Sequence, residues 1–444
     1  MDALPLPPRP NLDQYKKRAK ELVSAAQSGD ANATRAWAAD WLTALSQVLD
    51  ASKTPNYDSL LKQAIDRLIE RVEQRMKTSK GQFALADAQH LIATIHSFEN
   101  WAAFARHIEA PFSGDTRVRE FESAVDAVVY GDLATLRSIV AARPEIVDEH
   151  STRDHHATLL HYVAANGVED YRQRTPPNAV EIARFLLDSG AKVDALADTY
   201  GRDHWQTTMN LLVSSAHPDG AGLMSPLVEV LLDYGAAIDG IKDDESPILT
   251  AIDFGYWYAA ETLARRGARV DNVITAASLG RVDLINAFVV DKDTLAPGVP
   301  LIAPAWRDLA ADARTHIEAA LVYACRFECV EVATRLLDLG VDAAAADGQK
   351  MTALHHAAAH GLIDLTRTLI ARGAPLEVEN VWGGTVLDST AYFAEFMPIE
   401  GVDYPAIMDV LVDAGANIKV LDDYPAEGTV VPEFLRRRRG ATGG

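Results

Sequence analysis

The feature that most constrains this chain is a unit that recurs at a spacing of 33 residues. The segment MTALHHAAAHGLIDLTRTLIARGA occupies residues 351–374, and 33 residues further on Thr352 matches Thr385. Upstream, TLLHYVAANG from Thr158 matches TALHHAAAHG from Thr352 without a gap. A fixed period of this length predicts a stack of similar small units rather than one compact core.

The residues of one unit predict a pair of helices. Thr352 is placed to cap a first helix, in which Leu354 and the small Ala357 face inward. Gly361 ends this short helix because glycine adopts the left-handed backbone of a helix C-terminus. LIDLTRTLIARGA then has the apolar spacing of a second amphipathic helix, which ends at Gly373.

This pattern, with its T-x-L-H-x-A start, resembles the ankyrin-repeat family over residues 117–440. The resemblance implies an all-α fold: an ankyrin-repeat solenoid of about eight helix-pair repeats. The units are predicted to begin near Val118, His156, Gln206, Ser246, Asp271, His316, Lys350 and Gly384. Insertions are predicted near residues 168–178, 199–206, 293–313 and 393–403. PEFLRRRRG is predicted to be a short helix that caps the array.

A different helical module is predicted to precede the repeats. Residues 1–11 are expected to be disordered, and residues 12–112 have the apolar spacing of a small helical bundle. A helix-turn-helix that binds DNA is disfavoured, because WAAFARHIEA offers a groove little besides Arg106. The module has a D-A-Q-x2-I-A-x4-F-x2-W pattern and resembles the N-terminal module of a group of bacterial ankyrin-repeat proteins. The residues of this pattern are Asp87, Ala88, Gln89, Ile92, Ala93, Phe98 and Trp101.

The charge and cysteine content restrict the class of partner and the compartment. The net charge is −21, although residues 1–80 are slightly basic. Such a balance disfavours nucleic acid and anionic membranes and favours a protein partner, one with a basic surface. Cys325 and Cys329 are spaced as helix residues and predict reduced thiols. With no signal peptide and no long apolar run, a cytoplasmic location is expected.

The sequence shows no pattern typical of catalysis or of cofactor binding. We find no Walker loop, no G-x-S-x-G and no H-E-x-x-H, so neither a catalytic residue nor a cofactor is predicted. His161 and His355 occupy the H of T-x-L-H and are expected to tie adjacent loops together. RDHHATLLH (residues 153–161) is expected to be a loop whose side chains point apart, so no metal site is predicted.

Exposed aromatic and charged residues at loop tips and at the ends of first helices are the candidate binding residues. Aromatic residues and arginine are typical of interface hot spots. The candidates are Tyr200, Asp203, His204, Trp205, Phe254, Arg326, Phe327, His360 and Trp382. The inner face near units two to four is the expected recognition surface, with the insertion at 168–178 adding Tyr171, Arg172 and Arg174 to its rim. Packing of Trp205 and Trp382 on a neighbouring loop is the simpler alternative.

Two functions from different classes fit these observations. The first is a non-catalytic scaffold that binds a protein through a concave face and loop tips, as the ankyrin resemblance implies. The second is a small-molecule-binding or catalytic pocket built by the long insertions between repeats. The sequence identifies neither the partner nor the oligomeric state.

Overall fold

The computed structural model contains two compact units, Met1–Thr250 and Ala251–Gly444. It describes residues 3–7, 10–28, 30–48, 57–79, 83–110, 116–199, 205–241, 246–302, 309–424 and 428–441. The predicted helical module and the repeats from residue 117 to Thr250 therefore belong to one unit. Helices dominate both units, which confirms the predicted all-α class.

Five helices form the N-terminal module of the first unit. They are α1 Leu12–Gln27, α2 Ala31–Val48, α3 Tyr57–Thr78, α4 Leu85–Ile95 and α5 Trp101–Glu109. Asn11 caps α1 by accepting hydrogen bonds from the backbone of Asp13 and Gln14. Phe98 is fully buried between α4 and α5, where its ring contacts Phe104 edge to face. This bundle has its own apolar core.

The prediction that residues 1–11 are disordered is wrong for residues 3–7. Ala3 is buried, and the N–H of Leu4 donates to the carbonyl of Ile95 at 2.8 Å. The carbonyl of Leu4 accepts from the His96 ring at 2.7 Å. This short segment is held because backbone hydrogen bonds satisfy it on both sides, which its proline-rich composition does not reveal.

The remainder of the first unit contains three pairs of helices. The helices are α6 Arg117–Tyr130, α7 Leu133–Ala142, α8 Leu159–Val163, α9 Ala179–Asp188, α10 Thr208–Leu212, α11 Ala216–Gly220 and α12 Met224–Asp233. Strands β1 Leu196–Asp198 and β2 Trp205–Thr207 form an antiparallel ribbon before α10. The first helices α6, α8 and α10 pack in sequence, and α9 packs on α12. Short 3-10 helices lie at Pro144–Asp148 and Asp170–Arg172.

The second unit repeats the same arrangement. Its helices are α13 Pro247–Phe254, α14 Trp257–Arg265, α15 Val273–Ser278, α16 Val282–Phe288, α17 Ala313–Arg326, α18 Val330–Asp338, α19 Ala353–Ala359, α20 Ile363–Ala371, α21 Val386–Phe396, α22 Tyr404–Asp413 and α23 Val430–Ala441. Strands β3 Val289–Asp291 and β4 Thr294–Leu295 form a hairpin, and a 3-10 helix spans Ile418–Asp423. First helices α15, α17, α19 and α21 pack in sequence. With the three pairs before them, the described residues contain the eight predicted pairs and the capping helix.

A buried ion network in the first unit corrects two sequence interpretations. We give this name to Glu122, Arg153, His155, Glu169 and Arg172. Arg153 and His155 are fully buried, so the start of RDHHATLLH is a packed segment and not a loop with outward side chains. Arg172 is buried too, so it does not belong to an exposed rim. The insertion at 168–178 therefore contributes charges to the interior.

Cys329 also differs from the prediction. Cys325 lies buried in α17 as expected, but α17 ends at Arg326 and Cys329 precedes α18. Both thiols are free. Burial raises the pKa of Cys329 to about 11, so it stays a neutral thiol at physiological pH.

Candidate functional site

The largest concave feature within the second unit is a cleft of about 1060 Å³. We call it the second-unit cleft. Two loops and the ends of three first helices supply most of its walls, and the start of α14 supplies the rest. Its lining residues are Gly255, Trp257, Tyr258, Arg326, Phe327, Glu328, Gln349, Met351, His356, His360, Asn380, Trp382, Gly384, Asp388, Ser389, Tyr392, Phe393 and Met397.

The two loops have the same design, 33 residues apart. In the first, the Asp347 carboxylate accepts from the backbone N–H of Gln349 and Met351, each at 2.9 Å. In the second, the Asn380 side-chain oxygen accepts from the N–H of Trp382 at 2.9 Å and of Gly384 at 3.0 Å. A short polar side chain at this position folds each loop back on itself, because it satisfies backbone donors that the turn leaves free.

The second loop holds Trp382 out into solvent. Asn380 is buried, and its side-chain nitrogen donates to the Ser389 hydroxyl at 3.1 Å, which fixes the base of the loop to α21. Gly383 takes a φ of +83°, the left-handed backbone that the turn requires. Trp382 is 70% exposed at the tip. The simpler alternative, in which Trp382 is buried against a neighbouring loop, is wrong for this residue.

Buried histidines fix the loops to the helices. His355 accepts the N–H of Thr352 at 3.1 Å on Nδ1, and its Nε2 lies 3.4 Å from the carbonyl of Gly384 in the next repeat. His161 repeats the contact in the first unit, with Nε2 at 3.0 Å from the carbonyl of Ala195. The expected structural role is therefore confirmed for both. Burial lowers the pKa of His161 to about 3 and that of His355 to about 4, so both rings are neutral.

Two further histidines of α19 and its C-terminus lie in the cleft beside carboxylates. His356 Nε2 is 3.4 Å from Asp347 Oδ2, and His360 Nδ1 is 3.2 Å from Glu328 Oε1. Burial lowers the pKa of His356, although Asp347 acts in the opposite direction. Burial also acts to raise the pKa of Asp347, but hydrogen bonds from His356 and the backbone lower it overall. These four side chains therefore have partners inside the protein.

The turn after α17 presents Arg326, Phe327 and Glu328 to the same cleft. Glu328 has a φ of +60°, a conformation that glycine supplies at the matching Gly361. A non-glycine residue here is strained, and such strain is concentrated at functional sites. The Arg326 guanidinium lies over the rings of Tyr323 and Phe327 at 5.7 and 5.6 Å. Among the residues that the structure describes, Arg326 forms no ion pair.

The structure brings together four of the nine predicted binding residues. Arg326, Phe327, His360 and Trp382 all line the second-unit cleft. Phe254 is exposed at the end of α13, next to the cleft residue Gly255.

The other four predicted residues do not lie in this cleft. Trp205 is half-buried in β2 of the first unit, where it pairs with Asp198. Tyr200, Asp203 and His204 lie outside the described residues. The predicted surface near units two to four thus takes its described members, Trp205 and Phe254, from different compact units.

Several aromatic and apolar residues of the cleft are absent from the sequence prediction. Tyr258 is 71% exposed at the start of α14, and Tyr392 and Met397 are exposed on and after α21. A signal for Tyr392 exists in the sequence, because Phe393 follows His360 by one period and marks the end of a first helix. Tyr258 and Met397 have no such signal, since irregular spacing places them there.

Two searches of the described residues bear on other kinds of site. No group of three or more histidine, cysteine, aspartate or glutamate side chains in this part of the chain is arranged to hold a metal ion. No helix within it combines the length and apolar character needed to cross a membrane.

Comparisons with known proteins agree with the repeat. Residues 321–370, which include cleft residues from Arg326 to His360, match the family model described as ankyrin repeats (many copies). No curated protein sequence matches the chain.

Solved structures similar to this chain include the human ASB11 ankyrin repeat domain and the ankyrin repeat domain of Bcl-3, a member of the IkappaB protein family. The first is 19% identical and covers 66% of this chain and 98% of its own, with a TM-score of 0.33. The second is 20% identical and covers 65% and 97%, with a TM-score of 0.28.

Proposed function

The chain is an ankyrin-repeat protein, and from that premise we propose that it is a non-catalytic scaffold that binds a protein partner in the second-unit cleft. Ankyrin repeats are generally protein-interaction scaffolds. The observation that carries the proposal is Trp382, a large aromatic side chain that a rigid loop holds 70% exposed at the rim of a cleft. Exposed aromatic residues around a concave surface are typical of interfaces.

Charge gives the proposed partner a second property. The whole chain has a net charge of −21, which favours a partner that is basic overall through long-range attraction. The same charge disfavours nucleic acid, because phosphates are repelled. A cytoplasmic location is part of the proposal, as reduced thiols suit it.

The alternative, a ligand or catalytic pocket built by the insertions, receives less support. The described residues of the insertions near 168–178, 199–206 and 293–313 do not line the second-unit cleft. Only the region near 393–403 contributes, through Phe393 and Met397. The cleft is also open and at the upper end of the volume typical of small-molecule sites, about 300–1000 Å³.

The test compares Trp382→Ala with Val381→Ala as a matched control on the same loop. Val381 is exposed but does not line the cleft. We expect quantitative affinity capture from the extract of the source cell to recover partners with wild type and Val381→Ala and to lose them with Trp382→Ala. Because Trp382 is exposed, its loss should change the free energy of unfolding by about 0.5 kcal/mol or less. Capture that survives in Trp382→Ala would contradict the proposal.

A thermal-shift screen with metabolites tests the alternative in parallel. A ligand that raises the melting temperature of wild type but not of Trp382→Ala would favour a small-molecule site in the same cleft. We expect no such ligand.

A further inference from the structure

The charges of the second-unit cleft are balanced except at one position. His356 lies beside Asp347, and His360 lies beside Glu328. Asp388 has an interaction within the protein. Arg326, which is half-buried, contacts only the rings of Tyr323 and Phe327 within the described part of the chain. It is therefore the charged group of the cleft that lacks an opposite charge.

The protein backbone makes room for this arginine. Gly255 borders the cleft with a φ of +86°, and a Cβ added there would lie 2.9 Å from Arg326 Nη2. The glycine thus allows the guanidinium to lie across the turn between α13 and α14. The two aromatic rings stabilise its flat face, so its N–H groups remain as donors at the edge of the plane.

A partly desolvated guanidinium without a counter-charge is unfavourable in the free protein and favours a carboxylate that arrives with a partner. Arginine and a carboxylate form two parallel N–H···O hydrogen bonds, which adds geometric specificity. The surroundings of Arg326 are apolar and aromatic. Tyr258, Trp382 and Tyr392 are exposed in the same cleft.

We propose that the second-unit cleft binds an extended peptide segment of the partner that places an Asp or Glu side chain on Arg326 and an aromatic or long aliphatic side chain beside it, against the exposed rings. This inference rests on the proposed function and specifies its recognition chemistry. A partner that is basic overall agrees with it, because the single carboxylate acts as a local anchor inside an acidic protein.

The probe is a phage-displayed library of random dodecapeptides, selected on the full-length chain. Such peptides are fused at their C-terminus, so only side-chain carboxylates are sampled. Wild type should enrich sequences with an acidic residue beside an aromatic or long aliphatic residue. Arg326→Gln keeps a side chain of similar shape without the charge and should lose the acidic preference. Arg335→Gln is the matched control, because Arg335 lies on α18 outside the cleft and bonds to Asn286.

A binding cycle with a synthetic peptide then isolates the pair. Replacing the acidic residue of the best peptide by its amide should raise the Kd for wild type at least about tenfold, as should Arg326→Gln with the original peptide. The two changes together should weaken binding little more than either alone. Arg335→Gln should bind as wild type does.

The outcomes separate the inference from the proposed function. Enriched peptides that lack an acidic residue, or additive losses in the cycle, overturn the role of Arg326. If those peptides still lose binding to Trp382→Ala, the cleft remains a protein-binding site. Enrichment of no sequence, or of sequences whose affinity is the same for Trp382→Ala, overturns both.

Discussion

At the scale of single residues, the T-x-L-H histidine is the clearest link between sequence and fold. Its Nδ1 accepts from the threonine that caps its own helix, and its Nε2 faces a carbonyl of the next loop. Both contacts need a neutral ring, with the proton on Nε2. Protonation of Nδ1 would place two N–H donors against each other. The residue therefore couples loop geometry to pH.

We predict that protonation of these histidines destabilises the protein below pH about 6.5. The folded-state pKa values of His161 and His355, about 3 and about 4, are lower than the unfolded value. The unfolded chain then binds protons first as the pH falls, so the stabilisation is complete above pH about 6.5 and decreases below it. Each histidine should contribute a slope of up to about 1.4 kcal/mol per pH unit until its folded pKa is reached.

Urea unfolding at pH 7.5, 6.5 and 5.5 measures this slope. His161→Gln should be less stable at pH 7.5 and show a shallower dependence on pH. His217→Gln is the control in the same unit, because His217 is exposed. Equal slopes for wild type and His161→Gln would show that this ring does not determine the acid sensitivity.

Binding residues were partly predictable at this scale. Arg326, Phe327 and His360 could be found because the repeat places the end of each first helix at a fixed position, and Trp382 because it lies at a loop tip. The pairing of charges could not be found this way. Whether Arg326 or His360 has a carboxylate partner depends on neighbours that are close in space and distant in sequence.

At the scale of elements, the helix pairs follow directly from threonine, glycine and apolar spacing. Leu336 on α18 and Leu354 on α19 are both fully buried, as the 33-residue register predicts. The insertions were less predictable, because length alone does not tell an exposed loop from a packed one. Arg172 in the insertion at 168–178 suggested an exposed rim, yet it is buried among charges that lie far away in the sequence.

We predict that Leu336→Ala lowers the free energy of unfolding by about 2–4 kcal/mol, because removal of a buried side chain leaves a cavity. Val330→Ala is the matched control on the same helix, since Val330 is 41% exposed, and it should change stability by about 0.5 kcal/mol or less. Chemical unfolding of both variants checks the difference. An unchanged midpoint for Leu336→Ala would mean that the second helix of this pair faces another way.

At the scale of the whole molecule, the N-terminal module and the first helix pairs share one compact unit. The boundary predicted between residues 112 and 117 separates two kinds of sequence, but buried contacts cross it. Arg153 Nη1 donates to the carbonyl of His96 at 2.7 Å, and its guanidinium lies 4.8 Å from the centre of the Phe98 ring. Phe98 belongs to the D-A-Q-x2-I-A-x4-F-x2-W pattern, so that pattern includes a residue that contacts the repeats.

The buried ion network forms the centre of these contacts. Glu169 Oε1 lies 3.4 Å from Arg153 Nε and 3.3 Å from Arg172 Nη1, and its side chain is fully buried. Glu122 Oε2 lies 2.8 Å from Arg172 Nη1. Burial acts to raise the pKa of Glu122, but the two guanidiniums lower it to about 2; they likewise hold the pKa of Glu169 well below its usual range.

We predict that Glu169→Gln destabilises the first unit by about 3–5 kcal/mol, because it leaves buried guanidiniums without their counter-charge. Asp126→Asn is the control: Asp126 pairs with Arg172 at 2.8 Å, but its side chain is 53% exposed, so its loss should cost about 1 kcal/mol or less. Hydrogen exchange should show faster exchange in α4, α5, α6 and α8 for Glu169→Gln and unchanged protection in α17, α19 and α21.

The pH dependence gives this prediction a second, independent measurement. Because the pKa values of Glu122 and Glu169 are lowered in the folded state, their contribution is complete above pH about 4.5 and is lost as the pH falls toward about 2. Glu169→Gln should therefore flatten the loss of stability below pH about 4.5, where Asp126→Asn should retain most of it. If the two variants behave alike in exchange and in acid, the network is incidental to the attachment of the module, and apolar packing around Phe98 holds it instead.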